Sequence, residues 1–297
     1  MNILVSYIIV TFGRNKDLIE CLEKITSNTV LKNYEIIVID NKNEYIVRQI
    51  VENFVNTRYF ASYVNLGVSG GRNFGIRQAR GKYLVFIDDD AIFDTYAFDK
   101  ILVEEFESSE KLGAICFKIL NFSTRKPNIG ELPFPRKYTK ELINKKTFVS
   151  YFIGAGHAIR KEVFENAGIY PEDFVYGGEE LYLSYNLLKK GYSIVYLPSI
   201  VVLHKKSPKR LGNKLQIYYE VRNKIIISMK FLPMPYLIIN LAFTLIKFLY
   251  VSFRSKSLMN YFRGVSDGFK VGLKVNRSKI GKDEITYLKK YYGRLWY

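Results

Sequence analysis

The sequence predicts an α/β protein with a mostly parallel central sheet flanked by helices, followed by a C-terminal helical extension. Three observations support this prediction. Over the first hundred residues, apolar β-branched runs alternate with segments of helical spacing, a pattern typical of a parallel sheet covered on both faces. The chain has 297 residues and is 48% hydrophobic, which is enough for a large core. After about residue 205 the strand pattern stops and the charge becomes strongly basic.

The predicted elements alternate along the first hundred residues. The strands are expected at Ile3–Val10, Tyr34–Ile39, Arg58–Val64 and Tyr83–Ile87, and the helices at Asn15–Thr26, Tyr45–Phe54 and Gly70–Ala79. The apolar N-terminus lacks a basic leader and a small-residue cleavage site, so we interpret it as the first strand rather than as a signal peptide. The distant Cys21 and Cys116 do not indicate a disulfide framework, and a reduced cytosolic setting is expected.

Polar residues follow three of the predicted strands, at Thr11, at Asp40-Asn41 and at Asp88–Asp90. In parallel sheets, ligands bind outside the carboxyl ends of the strands, so these residues predict a binding site. The Asp88–Asp90 triplet offers oxygen ligands for a hard cation such as Mg²⁺, which proteins hold with one or two carboxylates plus substrate phosphates. The residues alone leave an alternative open, in which the triplet caps a helix that begins there.

The segment "NLGVSGGRNFG", from Asn65 to Gly75, contains four glycines in nine residues. Such a segment allows the backbone to approach a ligand closely, with Arg72 and Asn73 opening the following helix. Its spacing differs from that of the dinucleotide-binding fingerprint. A tight turn that needs positive φ is the alternative explanation.

Two further sites are candidates for chemistry. Glu179 and Glu180 follow a Gly-Gly turn and begin a predicted helix, where a carboxylate can abstract a proton from an acceptor hydroxyl or simply complement the helix dipole. His204 ends an apolar strand and is one of two histidines, the other being His157. It is a candidate metal ligand, with a structural histidine as the alternative.

The C-terminal third carries most of the positive charge. From Lys205 to Tyr297 there are 20 Lys and Arg against 4 Asp and Glu, which indicates an anionic partner. A helix is expected over Leu211–Phe231, and Pro233 and Pro235 separate it from the apolar run Tyr236–Phe253. That run is short for a membrane span. It is either an interfacial helix on anionic lipid, a true span or a buried helix, and its basic and aromatic flanks favour the first.

Taken together, these motifs resemble the family 2 glycosyltransferases, and most closely their rhamnosyltransferase-like branch. The resemblance rests on the order of "IVTFGRN", "VIDNKN", "NLGVSGGRNFG", "FIDDDA", "FIGAGHAIRKEVFENAG", "GGEELYLSYNLLKKGY", "VVLHKKSP" and "YYEVRNKI". It implies the GT-A nucleotide-sugar-binding fold over residues 1–225, with residues 226–297 as a basic, partly apolar, membrane-associating extension. It also implies transfer of a sugar, with inversion, from a nucleoside-diphosphate sugar to a hydroxyl of a saccharide.

The resemblance implies roles for individual residues. Glu180 aligns with the catalytic base, and Glu179 is the alternative. Mg²⁺ or Mn²⁺ would be bound by Asp90, Asp88 and His204. The residues expected to bind the nucleotide sugar are Thr11, Phe12, Arg14, Asp40, Asn65, Gly71, Arg72, Asp88 and Asp89. Within this set, Asp89 has no individual role assigned to it.

The expected partners are a UDP-, dTDP- or GDP-linked sugar, a saccharide or polyprenyl-linked saccharide acceptor, and an anionic membrane surface contacted by residues 226–297. The expected location is the cytoplasm, at the cytoplasmic face of the membrane. The sequence departs from the family pattern at Tyr182, where an acid is common, and at Asn186, where the family has Arg. A catalytically impaired GT-A scaffold is therefore an alternative. A basic nucleic-acid-binding protein is a weaker one, because the acidic strand end would repel phosphate, and no nucleic-acid partner is expected.

Overall fold

A central sheet organises the computed structural model, which describes residues 2–205 and 213–296. Nine strands form this sheet in the order β3-β2-β1-β4-β8-β6-β9-β5, and β7 pairs with β9. The strands are β1 (Val5–Thr11), β2 (Tyr34–Asp40), β3 (Thr57–Ala61), β4 (Tyr83–Asp88), β5 (Ala91–Phe93), β6 (Leu112–Asn121), β7 (Thr147–Val149), β8 (Gly156–Arg160) and β9 (Ser193–His204).

Helices flank the sheet and form the C-terminal extension. They are α1 (Asn15–Asn28), α2 (Tyr45–Glu52), α3 (Gly67–Gln78), α4 (Phe98–Glu107), α5 (Thr139–Leu142), α6 (Lys161–Ala167), α7 (Glu179–Lys189), α8 (Asn213–Phe231), α9 (Tyr236–Arg254), α10 (Leu258–Gly272) and α11 (Lys282–Lys290). The predicted α/β class with a C-terminal helical region is confirmed. The first two residues of the predicted helix over Leu211–Phe231 lie outside the described residues.

The first four strands of the chain are parallel, as the sequence predicted. β1 pairs in parallel with both β2 and β4, and in that register Thr11 lies opposite Asp40 while Val10 lies opposite Asp88. This register brings the three polar strand ends to one edge of the sheet. The other half is mixed, because β8 runs antiparallel to both β4 and β6 and β9 pairs in parallel with β6. The sheet as a whole is therefore less parallel than expected.

The core lies on both faces of the sheet because successive side chains of a strand point to opposite sides. Along β1, Tyr7 and Ile9 contribute to the core beneath α1, α2 and α4. The intervening Ile8 contributes to the opposite core, which includes Ile76 of α3 and Leu187 of α7. Both faces are apolar, which is why these strands appear in the sequence as continuous apolar runs rather than as alternating ones.

The C-terminal helices pack onto the core of the first domain. The predicted boundary between residues 225 and 226 falls inside α8. Beyond it, Phe231, Ile280 and Leu295 are buried in the same cluster as the residues beneath α7. These three residues share a hydrophobic core with the first domain, whereas Phe248 and Tyr261 pack in a separate cluster with Val221. The division at residues 225 and 226 stays a prediction.

Helix α9 has one buried and one exposed side. Asn240, Thr244, Phe248 and Ser252 recur every four residues on its buried side. Large apolar residues of the same helix are exposed: Ile238, Phe243, Ile246, Leu249, Tyr250, Val251 and Phe253. Among the described residues, α9 is the helix that has the length and composition to cross a membrane, and 28% of its apolar window is buried against the protein.

Candidate active site

Three potential metal ligands converge where β4 and β9 end. Asp88, Asp90 and His204 each offer a ligand atom within 4.8 Å of the others. The Nε2 of His204 lies 3.3 Å from Asp90 and 3.9 Å from Asp88. The pairing of Ala91 with His204 in the antiparallel β5–β9 ladder positions the histidine beside the aspartates. This arrangement overturns the helix-cap alternative, because Asp89 and Asp90 form a turn before β5 and the next helix begins only at Phe98.

These residues fit a divalent cation. The buried Nε2 of His204 makes no hydrogen bond with the described residues, and it faces two carboxylates. Two carboxylate oxygens and one imidazole nitrogen suit Mn²⁺, and Mg²⁺ to a lesser degree, because Mg²⁺ prefers oxygen ligands.

Glu131 orients the histidine from the other side. Its carboxylate lies 2.9 Å from the Nδ1 of His204, the carboxylate–histidine arrangement that fixes a metal-binding ring. Burial alone would lower the pKa of His204, but Asp90, Glu131 and Asp88 outweigh it and raise that pKa to about 10. The cluster therefore stabilises positive charge at this ring. Sequence reasoning missed Glu131, a single acid in an irregular segment that belongs to none of the motifs.

The middle aspartate of the triplet has an internal role. Asp89 is fully buried, accepts a hydrogen bond of 2.8 Å from the hydroxyl of Thr11, and forms an ion pair with Arg14. Arg14 also reaches Asp90 at 2.5 Å. These contacts tie the end of β1 to the turn that carries Asp90. The expected contact of Asp89 with the nucleotide sugar stays a prediction.

The buried Arg72 joins the metal-binding cluster to the acidic pair. Its guanidinium lies 3.5 Å from Asp88, 3.3 Å from Glu180 and 3.7 Å from Glu179, and it donates to the backbone oxygen of Gly154 at 2.9 Å. Burial opposes the charge of Arg72, but Tyr170 and the surrounding carboxylates raise its pKa. Arg72 therefore remains a cation that offsets the acidic groups around it.

The two glutamates that begin α7 lie in different environments. The side chain of Glu180 is 20% exposed and that of Glu179 is 5% exposed. Burial, together with the neighbouring charge of Glu180, raises the pKa of Glu179 to about 8 despite the presence of Arg72. Burial therefore favours the protonated form of Glu179, and Glu180 is the more accessible of the two carboxyl groups. The roles of Glu180 as base and of Glu179 as the alternative stay predictions.

A cavity of about 720 Å³ contains these groups. Its lining includes the metal-binding cluster, Arg72 and both glutamates, and it extends to side chains of α8, of α9 and of the C-terminal segment. Gly154 also lines it, and a Cβ atom there would collide with Glu180 and Arg72. The sequence contained a signal for Gly154 in its "FIGAGHAI" motif, but only the structure shows which groups approach this backbone.

The remaining residues grouped with the nucleotide lie toward the ends of β1 and β2. Phe12 is 50% exposed, whereas Asp40 is fully buried and accepts bonds from the backbone of Lys42 and Glu44 and from the hydroxyl of Tyr59. Asn65 is exposed and accepts the backbone N–H of Gly67. The contacts of Phe12, Asp40 and Asn65 with a nucleotide stay predictions.

The glycine-rich segment is mostly helix rather than loop. Helix α3 begins at Gly67, which has φ of +67°, so the three later glycines lie within it. A Cβ atom on Gly71 would lie 2.6 Å from Val10, and one on Gly75 would lie 2.4 Å from Ile8. Gly71 therefore allows α3 to pack closely on β1, and this close contact holds Arg72 at the cavity.

Solved structures of similar fold contain UDP or a UDP-linked sugar. The chain superposes on GalNAc-T7 with UDP, GalNAc and Mn²⁺ at a TM-score of 0.65 and 16% identity, covering 99% of this chain and 58% of that one. It also superposes on residues 1–349 of Staphylococcus aureus TarS in complex with UDP-GlcNAc, at a TM-score of 0.64 and 13% identity, covering 90% of this chain and 80% of that one. The chain thus spans less than two thirds of the GalNAc-T7 chain. The fold is GT-A.

Sequence comparison identifies the family. The family model for glycosyl transferase family 2 matches residues 6–168. An uncharacterised protein of Haemophilus influenzae is 33% identical over 178 residues, covering 57% of this chain and 93% of that protein. Glycosyltransferase AglE of Haloferax volcanii is 25% identical over 214 residues, covering 69% of this chain and 67% of AglE. The chain belongs to glycosyl transferase family 2, while the rhamnosyltransferase-like branch stays a prediction.

Proposed function

We propose that this protein is a metal-dependent, inverting glycosyltransferase that moves a sugar from a nucleoside-diphosphate sugar to a hydroxyl of a saccharide. The observation that carries the proposal is the shared cavity, in which Asp88, Asp90 and His204 lie together with the acidic pair at the start of α7. A nucleotide sugar and a saccharide acceptor bound together in this cavity would therefore have both a metal-binding site and a proton-accepting carboxylate beside them.

The metal-binding cluster defines the donor end of the cavity. Asp88, Asp90 and His204 would hold Mn²⁺ or Mg²⁺, with Glu131 orienting the histidine ring. A bound divalent ion supplies Lewis-acid stabilisation of the charge that develops on the leaving nucleoside diphosphate. The solved neighbour with UDP and Mn²⁺ supports this donor class, and the choice among UDP-, dTDP- and GDP-sugars belongs to the proposal.

Glu180 is the proposed base. Its partly exposed carboxylate faces the cavity, where it can accept the proton of an acceptor hydroxyl as that oxygen attacks the anomeric carbon. Arg72 holds the carboxylate in place, and burial favours the uncharged form of the neighbouring Glu179. Attack from the face opposite the leaving diphosphate inverts the anomeric configuration, and a base that is not itself a metal ligand is compatible with this mechanism.

The acceptor is proposed to be a polyprenyl-linked saccharide at the cytoplasmic face of a membrane. The support is α9, whose exposed apolar side lies in the strongly basic part of the chain. Exposed apolar residues flanked by Lys and Arg are typical of helices that lie on anionic lipid. Membrane association, cytoplasmic location and the rhamnosyltransferase-like branch all belong to this proposal.

A donor screen tests the proposed function. The purified protein is incubated with UDP-, dTDP- and GDP-sugars in Mn²⁺, and release of the nucleoside diphosphate is measured. At least one donor should release its nucleoside diphosphate in Mn²⁺, and the same donor should remain intact in excess EDTA. If no donor is cleaved although one binds in Mn²⁺, the catalytically impaired scaffold becomes the better explanation.

A further inference from the structure

The cavity has a second charged region, apart from the metal-binding cluster, Arg72 and the two glutamates. The proposed sugar transfer assigns no role to this second region. Lys224 of α8, Lys247 of α9 and Arg294 of the C-terminal segment all line it. None of these elements supplies a residue of the metal-binding cluster. The three cations therefore form a separate group in the same cavity, which we call the cationic subsite.

The position of Lys224 is fixed relative to the candidate base. The side chain of the adjacent Asn223 is fully buried and donates to the backbone oxygens of Tyr176 and Gly177 at 3.0 and 2.8 Å. Those residues form the turn that leads directly into α7 and Glu180. A group bound at Lys224 is thereby placed at a defined distance from the carboxylate that would deprotonate the acceptor.

Arg294 is also held in place at the cavity. Its guanidinium donates to the hydroxyl of Tyr151 at 3.0 Å and stacks over the ring of Tyr151 at 4.3 Å. Its backbone oxygen accepts from the hydroxyl of Tyr185 at 3.3 Å and from Asn240 at 3.4 Å. These contacts direct the C-terminal segment into the cavity instead of leaving the arginine in solvent.

The subsite carries excess positive charge. Glu220 is the acid beside it, and it accepts a hydrogen bond of 2.7 Å from Gln216. Burial, with repulsion from Arg294 and Lys247, lowers the pKa of Lys224 to about 7 even though Glu220 opposes this shift. A bound anion would relieve this repulsion, because opposite charge favours the ionised lysine.

We propose that the cationic subsite binds the phosphate of a lipid-linked acceptor, an inference that rests on the proposed function. The proposed function assigns the diphosphate of the donor to the metal-binding cluster, and we assign a second anion in this cavity to the acceptor. Lys247 and Phe248 line the cavity from α9, and the neighbouring Ile246 and Leu249 are exposed apolar residues of the same helix. When the phosphate of a lipid-linked acceptor binds in the subsite, the hydrocarbon chain of that lipid therefore lies beside the apolar side of α9.

Direct binding tests this inference without requiring catalysis. Calorimetry in EDTA, which removes metal-mediated phosphate binding, is performed with geranyl phosphate, geraniol and inorganic phosphate. The full chain should bind geranyl phosphate at least about tenfold more tightly than it binds geraniol or inorganic phosphate. One charged contact corresponds to roughly that factor. The Lys224→Met and Lys247→Met substitutions should each weaken geranyl phosphate binding by about tenfold.

Lys270→Met is the matched control. Lys270 is an exposed lysine of α10 that pairs with Asp267, and its replacement removes the same charge from the same basic region. Unchanged binding in Lys270→Met together with weakened binding in the two cavity variants supports the subsite. Equal loss in all three, or no loss in the cavity variants, overturns it. Inorganic phosphate binding as tightly as geranyl phosphate contradicts a lipid-linked source.

Failure of the subsite is distinguishable from failure of the proposed function. Binding of nucleotide sugar in Mn²⁺ by the unsubstituted protein reports on the metal-binding cluster alone. If nucleotide sugar binds and geranyl phosphate does not, the subsite is wrong and the proposed donor chemistry stands. If geranyl phosphate binds in EDTA and no nucleotide sugar binds in Mn²⁺, the proposed transfer reaction is wrong instead.

Discussion

Arg72 lies 3.3 Å from the carboxylate of Glu180, and both side chains line the same cavity. The same guanidinium reaches Asp88 of the metal-binding cluster. One buried cation thus connects the residues proposed for the leaving group with the residue proposed for the attacking hydroxyl. Helix α3 can hold it there because Gly71 and Gly75 bring the helix onto β1.

Replacement of Arg72 should destabilise the protein strongly. Arg72→Met leaves three carboxyl groups without their shared cation, and removal of one member of a buried ionic cluster costs about 3 kcal/mol or more. The free energy of unfolding, measured in urea at pH 7, should fall by that amount. Arg77→Met is the control on the same helix, since its pair with Glu172 is about half exposed and should contribute less than about 1 kcal/mol. Similar losses in both variants would contradict a central role for Arg72.

Replacement of Glu180 should separate binding from chemistry. Glu180→Gln removes the proposed base while preserving size and hydrogen bonding, so kcat should fall by about 10²- to 10⁴-fold. Affinity for the nucleotide sugar in Mn²⁺ should stay within about threefold, a difference smaller than the loss of one charged contact. Glu179→Gln is the matched variant and should retain more activity, because the Glu179 side chain is less exposed to the cavity than that of Glu180. A larger loss of kcat in Glu179→Gln would reverse the assignment.

The buried Glu179 should make stability depend on pH. Its pKa is raised by burial to about 8, while in the unfolded chain it is near 4.5. Between these values the folded state binds a proton that the unfolded state has lost, so stability falls as pH rises from about 4.5 to about 8. Gln at this position imitates the protonated form. The unfolding free energy of Glu179→Gln relative to the unsubstituted protein should therefore increase from pH 5 to pH 8, and a constant difference would refute the shift.

Metal binding should depend on Asp90. Asp90→Asn removes a charged ligand and should weaken Mn²⁺ binding, measured by calorimetry, by at least about tenfold. Asp94→Asn provides the comparison, because Asp94 follows β5 and pairs with Arg125 away from the cluster. Its affinity for Mn²⁺ should be unchanged. If Asp90→Asn bound Mn²⁺ normally, the metal would have to be held elsewhere.

Membrane association should depend on the exposed side of α9. The double substitution Phe243→Glu with Ile246→Glu places two acids on side chains that are 54% and 67% exposed. Sedimentation with anionic liposomes should fall sharply, because both apolar burial and attraction to lipid headgroups are lost. Val55→Glu, at a site that is 72% exposed in the first domain, should sediment normally. Undiminished sedimentation of the α9 variant would exclude this helix as the anchor.

Much of the fold and part of the site could be predicted from local sequence. Continuous apolar runs identified the strands of the parallel half, and the end of each run located Thr11, Asp40 and Asp88 at one edge. The glycine-rich segment was harder to interpret. Two of its glycines, Gly71 and Gly75, permit close packing of α3 on β1, and the sequence does not show which strand the helix contacts.

By itself, the sequence determined the alternation of strands and helices, the acidic end of β4 and the basic, apolar character of the C-terminal region, because these follow from neighbouring residues. Only the tertiary structure decided that Asp89 turns inward to Thr11 and Arg14 while Asp90 approaches His204. It also brought Lys224 and Arg294 into one cavity. Such contacts join residues far apart in the chain, and their geometry depends on the packing of the whole sheet and its helices.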